Sequence, residues 1–339
     1  MTKHGLSRRR FVCITAAAAG MALLPPPSPS RRRTAAAPPQ LRIWRGTALG
    51  ADALLQIHHP DPAVAARLIK QSIAEVRRLE HVFSLFQRDS ATSNLNSKGY
   101  LEDPPLDLVQ LLADSAHYSR LTDGAFDATV QPLWRLYAEH FGKPDADPDG
   151  PSNDARAAAV ALVGHDKVRL DEGSIHLGHG MAVTLNGIAQ GYITDRVAEL
   201  LLESGIERAL VDMGEIRALG DRASGEPWRI GLEDPAAPDR IAETIEVRDR
   251  AVATSGGYGT RFDPAGRFNH LFDPQTGFTS SRYLSVTVIA PSATTADALS
   301  TAFSLMALDR TQAIVDQLGI GARFVLPDGS SLVQQRRQS

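Results

Sequence analysis

Apolar residues recur every three or four positions in the segment that follows Asp61. They are Val64, Leu68, Ile69, Ile73, Val76, Leu79 and Val82. This spacing places them on one face of an amphipathic helix. Asp61 is a favoured N-cap residue and Pro62 suits the first helical turn, so the helix is predicted to begin there. Just before it, the run ADALLQIH over residues 51–58 predicts a strand.

The rest of the chain alternates between short strand-like runs and longer helical segments. Asp103-Pro104 repeats the helix-start signal before a predicted helix over residues 106–118. Further helices are predicted over residues 191–204, 296–308 and 310–318. Short strands are predicted over residues 168–170, 174–177, 182–185, 209–213, 216–219, 228–232, 241–247 and 284–289. Adjacent strands interrupted by long helices indicate an α+β fold with mainly antiparallel sheets and packed helices, not a βαβ series.

Residues 142–154 are rich in Pro, Asp and Gly, which predicts a surface loop. About 300 residues follow the first 37, enough for one large domain or two closely packed ones. We therefore expect a single domain over residues 38–339, with a candidate subdomain boundary in this loop.

The first 37 residues have the layout of an export signal. Arg8, Arg9 and Arg10 precede a short apolar run that ends before Pro- and Ala-rich sequence. Paired arginines in Ser-Arg-Arg-x-Phe indicate the twin-arginine route and a periplasmic protein. An uncleaved anchor or a basic tail is the alternative, but the apolar run is shorter than the roughly 20 residues that span a bilayer. No later segment is apolar enough to cross a membrane, so the mature protein is not expected to span one.

Composition narrows the chemistry of the mature protein. The only cysteine of the sequence, Cys13, lies inside the predicted signal. Once the signal is removed, the protein can have no disulfide framework, no thiolate metal site and no cysteine nucleophile. Residues 1–37 carry seven Lys or Arg and no Asp or Glu, so the net charge of −3 becomes −10 without them. Such an acidic protein is a poor candidate for nucleic-acid binding.

The stretch from 251 to 277, AVATSGGYGTRFDPAGRFNHLFDPQTG, is dense in turn residues. Its glycines and Asp-Pro pairs predict a tight hairpin or a strand-loop-strand unit rather than a helix. His270 and Asp273 place an imidazole and a carboxylate close together, which is sufficient to move a proton near neutral pH. Taken alone, a structural histidine is the more common explanation.

Two further stretches carry candidate ligand-binding groups. In VTLNGIAQGYITD, residues 183–195, a glycine-rich turn leads into a helix whose N–H groups could hold phosphate and whose turn carbonyls could hold a cation. In TTADALST, residues 294–301, Asp297, Ser300 and Thr301 share one face of a predicted first helical turn. Their oxygens suit Mg²⁺ better than zinc or copper. A plain strand-to-helix turn and an N-cap remain the alternatives for these two stretches.

Two aromatic and polar stretches complete the candidates. TDGAFDATVQPL, residues 122–133, contains Phe126, which could cover an aromatic ring or pack in the core. FSLF, residues 83–86, ends the first long helix and is followed by polar residues. Neither stretch identifies a ligand by itself.

Taken in order, these stretches resemble the ApbE family of FAD:protein FMN transferases over residues from 45 to about 308. The matching blocks are SLFQRDSATSNLN, TDGAFDATVQPLW, LNGIAQGYITDRVAELL, ALVDMGEIRALG, WRIGLEDP, VATSGGY, FNHLFDPQTG, SVTVIAP and ADALSTA. Twin-arginine export together with LNGIAQGY and VDMGEIRA is similar to the NosX-like branch, which is linked to nitrous-oxide respiration.

The resemblance implies a T-fold-like architecture and assigns roles by position. Implied flavin or FAD contacts are Arg45, Phe86, Ala125, Phe126, Asp127, Thr184, Gln190 and Phe272. Implied Mg²⁺ ligands are Gly187 through its carbonyl, Asp297 and Thr301, with Ser300 nearby. His270 is the implied catalytic base, with Asp273 beside it.

Several positions depart from the pattern that the family usually shows. Arg45 stands where Met is usual and Phe86 where Tyr is usual, and Gly214-Glu215 replaces a Gly-Gly pair. Thr184 stands for Asp and Gln190 for Lys or Glu, and Ser300 occupies a position where Asp is frequent. The changes at 184 and 300 remove negative charge near the implied metal, so Mg²⁺ binding is expected either to be weaker or to depend more on the phosphates of FAD.

The implied activity is Mg²⁺-dependent transfer of FMN from FAD, the substrate, to a Ser or Thr hydroxyl of a partner flavoprotein, with release of AMP. The NosX resemblance implies a membrane-bound NosR-type acceptor. Two alternatives stay open at this point. One is hydrolysis of FAD by a pyrophosphatase, and the other is a non-catalytic periplasmic carrier of FAD.

Overall fold

A computed structural model describes residues 40–337, so the predicted export signal lies outside the described residues. The helices are α1 Pro62–Phe83, α2 Ala91–Lys98, α3 Leu106–Leu121, α4 Gln131–Phe141, α5 Asn153–Val160, α6 Ala189–Glu203, α7 Ala293–Phe303 and α8 Leu308–Leu318. The strands are β1 Gln40–Ala48, β2 Ala51–His59, β3 Tyr100–Glu102, β4 Arg169–Asp171, β5 Ser174–His176, β6 Ala209–Asp212, β7 Ile216–Leu219, β8 Trp228–Asp234, β9 Ala237–Val247, β10 Ala251–Ser255, β11 Ser285–Ala290, β12 Gly321–Val325 and β13 Ser331–Gln334.

Eight of these strands form one sheet in the order β1-β2-β6-β7-β10-β11-β12-β13. Every pairing in it is antiparallel. Strands β3, β5 and β4 form a second small antiparallel sheet, and β8 and β9 form a separate hairpin. The prediction of an α+β fold with mainly antiparallel sheets is therefore confirmed.

The large sheet is covered on both faces. Buried residues of α1, α6 and α7 pack with β2, β10 and β11 in the main hydrophobic core. On the other face, Trp228 and Ile230 of the β8–β9 hairpin pack against Leu210 and Ala218 of the sheet. Burial on both faces explains why the central strands are short, continuous apolar runs.

Both α1 and α3 begin where they were predicted, but only α1 has the predicted cap. The side chain of Asp61 accepts hydrogen bonds from the N–H groups of Ala63 and Val64, as an N-cap does. Before α3 the cap position is Pro105, without a side-chain bond, and Asp103 lies in a left-handed turn with φ 46°. Asp103 is therefore not the N-cap of α3, although the predicted helix is present.

Residues 182–185 do not form the predicted strand. The N–H of Val183 donates to the side-chain oxygen of Asn96 at 2.7 Å, and the N–H of Thr184 donates to the carbonyl of Ala128 at 2.7 Å. These isolated bonds fix an extended segment between α2 and the loop before α4. It is held beside those elements instead of joining a sheet.

The stretch from 251 to 277 contains one strand, β10, followed by a long loop, so the predicted tight hairpin or strand-loop-strand unit within it is wrong: the next strand, β11, begins only at Ser285. Strand β10 pairs with β11, and residues 256–284 between them contain only isolated bridges, Arg261 with Asn269 and Phe272 with Thr279. Aromatic residues of this loop pack against α4 in one cluster. It consists of Trp134, Tyr137, Phe141, Phe262, Phe268 and Phe272.

The predicted surface loop connects α4 and α5, both of which pack in this aromatic cluster. Within residues 40–337, none of the helices combines the length and the apolar character needed to cross a bilayer.

Candidate functional site

A cavity of about 470 Å³ opens between the helices and the loops at one end of the large sheet. This volume lies in the range of pockets that hold small molecules, about 300–1,000 Å³. Its walls come from the β1–β2 turn, the end of α1, the loop before α4, the turn before α6, the loop after β10, and α7. Segments distant in sequence therefore meet at one site.

Most of the side chains implied by the resemblance line this cavity. They are Phe86, Ala125, Phe126, Asp127, Thr184, Gly187, Gln190, His270, Phe272, Asp297 and Thr301. Arg45, Asp273 and Ser300 are absent from the lining.

The three residues outside the lining have other positions. Arg45 is exposed on β1, where it is paired with Leu54 of β2. Asp273 accepts hydrogen bonds from the N–H groups of Gln275 and Thr276 at 2.8 and 3.3 Å, which shapes a turn. Ser300 is fully buried behind the cavity wall. Direct flavin contact by Arg45 and catalysis by Asp273 therefore have no support in the cavity geometry.

Helix α7 carries Asp297 and Thr301 to the cavity. Its N-cap is Ser292, whose hydroxyl accepts a hydrogen bond from the N–H of Thr295 at 3.2 Å. The helix begins at Ala293, so Asp297 lies in its second turn. The predicted position in the first turn is wrong. The N-cap alternative for Asp297 is thus wrong, and its buried carboxylate instead accepts the N–H of Gly191 at 3.0 Å.

A small hydroxyl cluster supports this end of the cavity. The hydroxyl of Ser255 lies 2.8 Å from that of Ser300 and 3.4 Å from that of Thr301. Ser300 also donates to the carbonyl of Asp297 at 3.0 Å, within the helix. Ser300 therefore stabilises the position of Ser255 and the backbone of α7 from outside the cavity.

The turn before α6 approaches α7 closely. A Cβ atom built on Gly187 would lie 3.1 Å from Oγ1 of Thr301, and one on Gly191 would lie 2.3 Å from the carbonyl oxygen of Ala293. Only glycine allows the second approach without a shift of the backbone. These two glycines bring the main chain around Gly187 next to the side chains of α7.

The donor set at this end fits Mg²⁺. It consists of the Asp297 carboxylate, the Thr301 hydroxyl and main-chain carbonyl groups of the turn at Gly187. Mg²⁺ prefers such oxygen ligands and is commonly held by one or two carboxylates together with substrate phosphates. Across residues 40–337 no group of three or more His, Cys, Asp or Glu side chains could hold a metal ion. An ion here would therefore need oxygens from a bound substrate.

Asp127 lines the cavity but also organises its wall. Its Oδ1 accepts hydrogen bonds from the N–H and the hydroxyl of Thr129, at 2.8 and 2.6 Å. Its Oδ2 accepts the N–H of His165 at 3.1 Å. Phe126, the neighbouring residue, is 3% exposed and packs edge-on against Tyr118. Phe126 therefore packs in the core and also lines the cavity, where contact with an aromatic ligand stays a prediction.

Two other cavity residues differ in exposure. Phe86 is 74% exposed, in the loop that follows α1, and its ring is available to an aromatic ligand. Gln190 is buried, and a Cβ built on Gly214 would lie 2.4 Å from its Nε2. The loop at Gly214-Glu215 therefore packs directly behind Gln190.

His270 is held by the main chain on the other side of the cavity. The backbone N–H of His270 donates to the carbonyl of Thr260 at 3.2 Å. The ring nitrogen Nδ1 lies 3.3 Å from the same carbonyl oxygen. Because a carbonyl only accepts, this contact favours the tautomer with hydrogen on Nδ1, which leaves Nε2 as the basic nitrogen. Below it, Phe272 contacts the ring of Tyr137 with centroids 5.1 Å apart.

The model of the ApbE family matches residues 49–324, which include every cavity residue described above. The chain belongs to the ApbE family. It is 36% identical over 251 residues to an FAD:protein FMN transferase of Vibrio cholerae, covering 71% of this chain and 74% of that one. It is 31% identical over 263 residues to the enzyme of the same name from Haemophilus influenzae, covering 74% and 75% of the two chains.

A solved structure, the flavin transferase ApbE from Vibrio cholerae, superimposes on this ApbE-family chain with a TM-score of 0.75. The alignment covers 88% of this chain and 98% of that structure at 28% identity. The predicted ApbE-like architecture is therefore confirmed.

Three further residues of this ApbE-family cavity were not singled out from the sequence. Ser255 ends β10 and Trp134 comes from α4. Glu80 accepts the N–H of Leu49 at 2.7 Å and so anchors the β1–β2 turn. Ser255 lies in the block VATSGGY and Trp134 ends the block TDGAFDATVQPLW, whereas Glu80 lies in ordinary helical sequence without a distinguishing signal.

Proposed function

We propose that this chain transfers FMN from FAD to a Ser or Thr hydroxyl of a partner flavoprotein and releases AMP. One observation carries the proposal. In a chain of the ApbE family, a single cavity brings together Asp297, Thr301, His270 and the 125–127 segment from separate parts of the sequence. Relatives in Haemophilus influenzae and Vibrio cholerae bear the name FAD:protein FMN transferase, which supports the same reaction here.

In the proposed reaction, the acceptor hydroxyl oxygen attacks the phosphorus on the FMN side of the pyrophosphate. A phosphoester bond to the acceptor forms, the bond to the bridging oxygen breaks, and AMP leaves with that oxygen. Nε2 of His270 accepts the hydroxyl proton in the tautomer that the Thr260 carbonyl favours. A hydroxyl is a poor nucleophile by itself, so the cavity also contributes by orienting the two reactants.

Asp297, Thr301 and the carbonyl of Gly187 would hold Mg²⁺, with Ser300 supporting them through Ser255. Bound there, the ion would neutralise charge that develops on the phosphate oxygens. Thr184 and Ser300 are neutral, and Asp297 contributes a carboxylate at this end of the cavity. This supports an ion that binds strongly only when FAD supplies further oxygens.

Phe86, Phe126 and Phe272 are the proposed aromatic contacts of FAD, with Ala125, Asp127, Thr184 and Gln190 as the other contacts. The exposed ring of Phe86 is suited to cover the flavin from the solvent side. The proposed setting is the periplasm, reached by the twin-arginine route. The proposed acceptor is a membrane-bound flavoprotein of the NosR type.

The roles of His270 and Asp297 are tested with His270→Ala and Asp297→Asn in a transfer assay that follows covalent flavin on an acceptor domain. We expect His270→Ala to reduce the transfer rate about 10²–10⁴-fold, the contribution typical of a general base. Asp297→Asn should abolish transfer at the Mg²⁺ concentration that saturates the unchanged protein.

Matched controls are His179→Ala and Asp171→Asn, because both residues are exposed and lie outside the cavity. These two variants should transfer at the normal rate. Undiminished transfer by Asp297→Asn would remove the proposed metal site, and undiminished transfer by His270→Ala would remove the proposed base.

A further inference from the structure

The first turn of α7 has three backbone N–H groups, those of Ala293, Thr294 and Thr295, without an acceptor inside the helix, and all three are bonded elsewhere. The N–H of Ala296 makes the first regular helical bond, to the Ser292 carbonyl at 3.1 Å. The N–H of Thr295 donates to the hydroxyl of Ser292. The other two donate to one carboxylate from another helix. Oδ1 of Asp195 accepts the N–H of Ala293 at 2.9 Å, and its Oδ2 accepts that of Thr294 at 2.8 Å.

Asp195 is built into the junction between α6 and α7. It is 6% exposed, and its Oδ2 also accepts the hydroxyl of Thr294 at 2.7 Å. The guanidinium of Arg217 donates to its Oδ1 at 2.5 Å from strand β7. A carboxylate is stabilised at a helix N-terminus by the helix dipole, and here it has a cation on its other side. Its charge is thus compensated within the protein.

The two helices are joined at two successive levels. Asp195 of α6 binds the start of α7, and Gly191, one turn earlier in α6, donates its N–H to Asp297, one turn later in α7. Residues four apart lie on one face of a helix, so the two contacts form consecutive rungs between the same two faces. Thr301 lies one further turn along α7, on that face.

We infer that Asp195 is a positioning residue, which fixes α7 against α6 and thereby sets the metal affinity of Asp297 and Thr301. The inference rests on the proposed metal role of these two residues. Asp195 does not line the cavity, so it acts only through the helix. Its carboxylate binds the first turn of α7. This contact fixes the position of the helix and therefore the distance between the Asp297 side chain and the turn at Gly187.

The variant that tests this is Asp195→Asn, which keeps the size of the side chain but turns an amide NH₂ toward donor groups. Mg²⁺ would be titrated calorimetrically into the FAD complex, and transfer would be measured against Mg²⁺ concentration. We expect the Mg²⁺ dissociation constant and the half-saturating concentration to rise about 10–100-fold, as when outer-shell partners of ligands are lost. Transfer should recover substantially at saturating Mg²⁺.

Arg217→Gln is the matched control. Arg217 donates to Oδ1 of Asp195 from β7, and its loss leaves both bonds from Asp195 to the backbone of α7 in place. The change should therefore lower the melting temperature but alter the Mg²⁺ dissociation constant less than about threefold. Thr294→Val is the second variant, since it removes a single hydrogen bond to Oδ2 and is expected to fold even if Asp195→Asn does not. It should weaken Mg²⁺ binding several-fold.

The possible results distinguish a failure of the proposed role of Asp195 from a failure of the proposed metal site. If the unchanged protein binds Mg²⁺ but Asp195→Asn and Thr294→Val bind it equally well, Asp195 has only a structural role and the inference is overturned. If the unchanged protein with FAD binds no Mg²⁺ at all, the proposed metal site fails and the inference fails with it. Weaker binding in both variants, with Arg217→Gln near normal, supports the positioning role.

Discussion

His270 and Asp297 line the same cavity but are held there in different ways. The ring of His270 is fixed by the carbonyl of Thr260 in an irregular loop, while Asp297 is fixed by the N–H of Gly191 at a helix crossing. The proposed base therefore belongs to an irregular loop. The proposed metal ligand belongs to a helix that is hydrogen-bonded to a second helix, which favours precise positioning of a metal.

Asp212 is a buried acidic residue near the end of β6 with a predictable effect on stability. Burial raises its pKa well above the ordinary value of 3.8, the nearby charge of Asp52 adds to this, and the N–H of Gly214 only partly offsets it. At pH values between 3.8 and this raised pKa, the folded protein therefore keeps a proton that the unfolded chain releases. The stability that this proton provides is lost as pH rises from about 3.8 through the raised native pKa.

Asp212→Asn should consequently be more stable than the unchanged protein, by a margin that grows from pH 5 to pH 8. Urea unfolding at the two pH values measures this, because Asn cannot ionise and keeps an oxygen for the N–H of Gly214. Asp52→Asn, on the exposed side of β2, should show a smaller effect in the same direction. An equal difference between Asp212→Asn and the unchanged protein at both pH values would contradict the account.

At the scale of elements, the crossing of α6 and α7 depends on Gly191. Gly191→Ala should lower the free energy of unfolding by about 1–3 kcal/mol, the usual cost of overpacking. The added methyl group would lie 2.3 Å from the carbonyl oxygen of Ala293 and 2.8 Å from Cβ of Asp297. Gly321→Ala is the control, since its methyl group would meet no atom closer than 3.8 Å. Equal midpoints of denaturant unfolding for the two variants would show that the helices move apart freely.

The elements that were predictable from sequence are those with a local physical cause. Helix α1 has both an apolar face and the Asp61 cap, and the structure retains both. Strand β1 was missed because its residues are mostly exposed at the sheet edge, which leaves a weak apolar pattern. Residues 182–185 were misread because an apolar run does not reveal that Asn96 and Ala128 take its hydrogen bonds.

The site was predictable only through the resemblance to a family. Spacing alone put Asp297 at a helix start, whereas the partners that decide its role, Gly191 and Asp195, come from α6. Arg45 and Asp273 were carried over by position, and the cavity does not include them. The position of a side chain relative to the cavity needs tertiary structure, because its direction depends on contacts distant in sequence.

At the scale of the whole molecule, the two faces of the large sheet serve different ends. One face carries α1, α6 and α7 and, with the loop after β10, the cavity. The other is closed by the β8–β9 hairpin. We therefore propose that the acceptor approaches from the side of the 256–284 loop and Phe86, with FAD held on the side of the helices.

The most direct test of transfer is the mass of an acceptor domain after incubation with residues 38–339, FAD and Mg²⁺. The account predicts a gain of one FMN group on a single Ser or Thr, with an equal amount of AMP released. The gain should disappear with EDTA and return with added Mg²⁺. AMP without any gain in mass would indicate hydrolysis of FAD, and bound FAD that stays intact would indicate a carrier. Either of these results would contradict the account.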